Sequence, residues 1–108
     1  MVATADVGRM AAELLQEKWT GNRVVELEGP QRYSPNDIAA CLARLLHTGV
    51  RAEAVPRDTW HACFSAQGMK NPEPRMRMLD GFNEGWLSFE YTARKGWVEL
   101  EAVLRTLT

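Results

Sequence analysis

Charge of one sign, thiols and long apolar runs are all scarce in this chain. Thirteen Lys and Arg stand against fourteen Asp and Glu, a net charge of −1. No surplus therefore draws the chain to nucleic acid or to an anionic membrane. No apolar run approaches the roughly 18 residues that a membrane-spanning helix needs. Residues 1–6 lack a basic stretch followed by an apolar one, so they do not read as an export signal, and the expected compartment is the cytoplasm. The only cysteines are Cys41 and Cys63. They form no C-x-x-C pair, each falls in an apolar helical stripe, and both are expected to be buried, free thiols. Together with His47 and His61 they match no zinc-ligand spacing, so no metal is expected. Neither a G-x-G-x-x-G turn nor a P-loop occurs, so nothing here cradles a phosphate and no cofactor-binding residue can be named.

What is present is an ordinary globular composition. Of the 108 residues 45% are hydrophobic and 25% charged, which fits one domain spanning residues 1–108. The clearest signals are helical. Val7, Met10, Ala11, Leu14, Leu15 and Trp19 make one apolar face, with Thr4 or Asp6 able to cap its start. Ser34 followed by Pro35 and Asp37 is a strong helix start, and Ile38, Cys41, Leu42, Leu45 and Leu46 repeat the stripe up to Gly49. Arg23 to Glu28 reads as a strand stopped by Gly29 and Pro30. Val50 to Val55 alternates apolar and polar residues as a second, half-exposed strand. A strand, a helix and a strand in this order predict a parallel β-α-β unit with a right-handed crossover.

Beyond Pro56 the pattern is helical again. One segment starts at Asp58 and carries Trp60, Cys63, Phe64 and Gln67. Asn71 caps another, with Pro72 at its first position and Met76, Leu79, Phe82, Asn83 and Trp86 inside. The last runs from near Glu99 to Leu107. The expected class is a helix-rich α/β domain in the order α-β-α-β-α-α-α, with a two-stranded parallel unit packed by helices. Two strands alone leave open edges, which predicts either covering helices or strands from another chain.

The stretch from Gln67 to Trp86 holds four of the five methionines. Such a segment packs as a core helix or lines a pocket, where methionine and aromatic side chains give an adaptable apolar wall. Candidate substrate-binding residues there are Met69, Lys70, Asn71, Met76, Phe82, Asn83 and Trp86. Asp80 and Glu84 lie one helical turn apart, but an exposed ion-pair face with Arg77 explains them more simply than acid-base catalysis. His61 reads as a surface residue, and His47 as a cation near a helix C-terminus. Tyr91 and Lys95 spell Y-x-x-x-K, yet 92–96 reads as a loop, so the match is taken as chance.

Four stretches together resemble a known family. They are Ala3 to Leu15, Val24 to Pro30, Ser34 to Ala39, and Met69 to Asn71 continued by Gly81-Phe82-Asn83-Glu84-Gly85-Trp86. They resemble the C-terminal part of NmrA-like proteins, the atypical short-chain dehydrogenase/reductases that include NAD(P)H-dependent quinone reductases and redox-sensing regulators. The resemblance implies that the glycine fingerprint and most NAD(P) contacts belong to an N-terminal Rossmann part outside these residues. It implies that Met69 to Trp86 lines the substrate side of the cleft. The chain is then expected to be a substrate-side or oligomerisation lobe, not catalytic alone, with no catalytic residue of its own, which forms a dimer. Two other readings stay open. One is a regulatory module pairing with a Rossmann-containing chain; the other is a small enzyme using the Met69-to-Trp86 pocket with Asp80 or Glu84.

Overall fold

The structure, a computed structural model, describes residues 1–90 and 92–108. These gather into two compact units, one formed by 1–52 with 92–108 and the other by 53–90.

The first unit begins with α1, Thr4–Gln16. Its expected side-chain cap is absent: Ala3 occupies the cap position with no side-chain bond. The Asp6 carboxylate is engaged elsewhere. It is 2% exposed and accepts the backbone N–H groups of Trp97 and Val98 through Oδ2, both at 2.9 Å. Beside it Gly96 has no room for a side chain, because a Cβ there would sit 2.5 Å from the same oxygen. Arg9 stacks on the Trp97 ring, 3.8 Å from its centre. The start of α1 is thus tied to a segment some 90 residues away. Of the predicted apolar face only Met10 is buried, whereas Leu15 is 82% exposed.

The first strand, β1, is short, Leu27–Glu28. It pairs in parallel with β2, Arg94–Lys95, in the register Leu27 with Arg94 and Glu28 with Lys95. The N–H groups of Arg94 and Gly96 donate to the carbonyls of Glu26 and Glu28 at 2.9 and 2.7 Å, and the Lys95 ammonium pairs with the Glu28 carboxylate. The class is therefore as expected, helix-rich with a two-stranded parallel sheet, but the partner strand differs. Val50 to Val55 forms no strand, and 94–95, read as loop, supplies the pairing. Alternation marks a half-buried segment but does not choose its neighbour. Here the 50–55 stretch is divided between the two units, and the Val55 carbonyl accepts the Trp60 indole N–H at 2.8 Å.

The second helix, α2, is Pro35–Leu46 and follows its sequence signature closely. Ser34 Oγ accepts from the Asp37 N–H while the Asp37 carboxylate accepts from the Ser34 N–H at 2.7 Å, a complete capping box. The helix ends at His47, which adopts a left-handed φ of 53°, two residues before the glycine expected to stop it. The Thr48 N–H closes the turn on the Ala43 carbonyl. The last helix of this unit, Leu100–Leu107 and designated α5, packs against α2.

The second unit holds a 3₁₀ turn, Arg57–Thr59, running into α3, Trp60–Ala66, and then α4, Glu73–Glu84. Pro72, fully buried, takes the cap position of α4 in place of Asn71. Gly85, at φ 80°, ends it in the left-handed conformation that glycine adopts without strain. Met76 and Gly81 are the buried residues of α4. Of the two cysteines Cys41 is buried and Cys63 only half-buried; both are free. Among the described residues no helix is long and apolar enough to cross a membrane.

Candidate functional site

The predicted substrate-side residues all lie in the second unit, and the structure spreads them. Met76 is buried and Met69 half-buried, while Lys70, Asn71 and Asn83 are exposed. Phe82 is 62% and Trp86 52% exposed. The expected inner face of α4 therefore holds for Met76 and Leu79 but not for Phe82, Asn83 or Trp86. Phe82 stands one turn beyond Met78, itself exposed, so a Met-aromatic line runs along the outer side of α4. Trp86 lies past the helix end, where its indole N–H donates to Glu84 Oε2 at 2.9 Å and Arg77 covers its ring at 5.8 Å.

The two carboxylates weighed for acid-base work are occupied separately. Asp80 receives a two-pronged bond from Arg57, Nε to Oδ1 at 2.8 Å and Nη2 to Oδ2 at 2.7 Å. That guanidinium holds the Asp80 carboxyl below its usual range, and is itself pushed up. A carboxylate held ionised in this way is poorly suited to donate a proton. Arg77, the expected partner, instead lies over Trp86. His61 is exposed. Tyr91 lies outside the described residues, and Lys95, the other end of its motif, belongs to β2 and pairs with Glu28.

A second surface, which the sequence reading missed, lies within the first unit. Between α2 and α5 is an open cleft of about 440 Å³, lined among others by Tyr33, Asp37, Cys41, Arg44, Glu99 and Glu101. Tyr33 donates its hydroxyl to Glu99 Oε2 at 2.5 Å and accepts the Leu100 N–H at 3.2 Å. The bond to Glu99 pushes the Tyr33 hydroxyl up from its ordinary pKa. Gln31 also donates to both oxygens of Glu99, at 3.4 and 3.3 Å. Across the cleft Arg44 reaches Glu101 Oε2 at 3.5 Å. The Ser34 backbone N–H, then its hydroxyl, hold Asp37 below the usual carboxylate range. No single stretch of sequence announces this site, because its halves are 66 to 68 residues apart. The capping signal at Ser34 and the helix near Glu99 were each visible, but not their meeting.

Among the described residues no group of three or more His, Cys, Asp or Glu side chains is placed to hold a metal ion. Comparison with known proteins finds no matching family model, no matching curated protein and no matching solved structure.

Proposed function

We propose that this chain is one lobe of a binding protein of the NmrA-like type, acting in the cytoplasm. It supplies the substrate-side wall of a cleft and does not transfer hydride by itself. The observation that carries the reading is the sheet. Parallel strands occur almost only in larger sheets covered on both faces, and a pair of two-residue strands is too small to stand alone. The pairing of Leu27–Glu28 with Arg94–Lys95 has the form of a border of such a sheet. Val24, just before β1, is 81% exposed, as expected of a strand approach that other strands would cover. The Met-aromatic line of α4 supports the same reading, since half of a pocket leaves its apolar wall open.

A second copy of the chain is the proposed cover in isolation, giving a dimer; a Rossmann-containing chain would cover the same surface and bring the NAD(P) contacts. Sedimentation equilibrium together with calorimetric titration of NADPH tests this. The expected result is self-association with no cofactor binding by the chain alone. A lone monomer that binds NADPH with micromolar affinity would refute it. The resemblance of Met69–Asn71 and Gly81–Trp86 to the family's substrate-side segment adds support. The small-enzyme reading gains none, because Asp80 is held as an ionised partner of Arg57.

A further inference from the structure

We propose that the cleft between α2 and α5 binds a small zwitterion, an α-amino acid or a close analogue, with Arg44 taking its carboxylate and Glu101 its ammonium group. The site lies wholly within the first unit and is independent of the lobe reading. Its lining carries three carboxylates and two guanidinium groups, Asp37, Glu99, Glu101, Arg32 and Arg44. A bare anion or a bare cation would meet like charge there; a molecule carrying both signs would not.

The carboxylates are mostly engaged already. Asp37 holds Ser34 at 2.7 and 2.8 Å, Glu99 holds the Tyr33 hydroxyl at 2.5 Å, and Glu101 Oε1 holds Arg105 at 2.7 Å. Glu101 Oε2 and Arg44 Nη2 face each other at 3.5 Å. That is long for a charge-assisted bond, which ordinarily closes to about 2.7–2.9 Å. The Arg44 side chain is 63% exposed, so it can swing away at little cost. An amino-acid head group places an acceptor and a donor side by side, and would replace one slack contact with bonds of ordinary length. Arg32 is a second guanidinium for the carboxylate: its ion pair to Glu28 is 3.7 Å long, and Glu28 is also paired with Lys95. Ala40, Cys41 and Leu100 also line the cleft and give the ligand's side chain an apolar bed.

Titration of the ¹⁵N-labelled chain with L-leucine tests the proposal. Isocaproate, which lacks the amine, and isoamylamine, which lacks the carboxylate, serve as the two half-charged probes. Leucine should move the amide signals of Cys41, Arg44 and Glu101 saturably, and each half-probe should bind at least about tenfold more weakly, because one charge-assisted contact is missing. Arg44→Gln and Glu101→Gln should each weaken leucine binding about tenfold, with the rest of the spectrum unchanged to show that the fold persists. No saturable shift, an equal response to either half-probe, or undiminished binding by Arg44→Gln would overturn it.

Discussion

Replacing Asp6 by alanine strips the acceptor from two backbone N–H groups at once. Both bonds are 2.9 Å and both converge on Oδ2, with the carboxylate almost wholly buried. Hydrogen bonds to a charged group contribute about 1.5–3 kcal/mol each. Because the two share one oxygen their losses do not simply add, so Asp6→Ala should cost the first unit about 3–4 kcal/mol. Against a total stability of about 5–15 kcal/mol that is a large fraction. Asp6→Asn keeps a neutral acceptor of the same shape and should cost about 1–2 kcal/mol. Gly96→Ala reaches the same contact from the other side, since its methyl would force the carboxylate out, at about 1–3 kcal/mol. The assay is urea denaturation followed through the backbone amide signals of Trp97 and Val98, which report this unit alone. Combining Gly96→Ala with Asp6→Ala should cost less than the sum of the two, by about 1 kcal/mol or more. A cost below about 0.5 kcal/mol for Asp6→Ala, or strict additivity of the pair, would refute the reasoning, because surface substitutions fall in that range.

Other consequences are open to measurement. The Asp80 carboxyl is depressed by Arg57, so its contribution to the second unit is present above the ordinary aspartate pKa of about 3.9. It is lost as pH falls through the lower folded value. A urea midpoint followed from neutral to acid pH should show this loss, and Asp80→Asn should blunt it. Tyr33 shifts the opposite way: its folded pKa is raised by Glu99, so its contribution is present below the ordinary value of about 10 and fades as pH rises through the folded one. Ultraviolet absorbance titration of the wild type against Tyr33→Phe should assign the later midpoint to Tyr33. His47→Gly should stabilise the first unit by about 0.5–1 kcal/mol, since histidine sits there at φ 53°, where glycine carries no steric penalty. An unchanged or lower urea midpoint would count against that account.

Local signals were readable in the chain wherever a few neighbouring residues decide the outcome. Ser34, Pro35 and Asp37 announce the start of α2 because every partner in the capping box lies within three residues. The strand at Arg94–Lys95 was hidden for the converse reason. Its residues are charged and flanked by Gly96, with no β-branched pattern, and only a ladder to distant carbonyls makes them a strand. Val50 to Val55 shows the reverse error, a good pattern without a partner. Thr4 or Asp6 reads as the cap of α1 because both residue types favour a helix start, whereas the Asp6 carboxylate answers donors some 90 residues further along. For the same reason the cleft of Tyr33 and Glu99 emerges only when α5 reaches α2.

The bond between Asp6 and Val98 has a bearing on biosynthesis. A nascent chain leaves the ribosome from its amino end, at about 5–20 residues per second, and Val98 is synthesised 92 residues after the Asp6 it bonds. The segment 53–90 can organise during elongation. Until Val98 emerges, α1 must wait several seconds with Met10, buried in the finished fold, unsheltered, which makes this interval the stage at which a chaperone would be most useful.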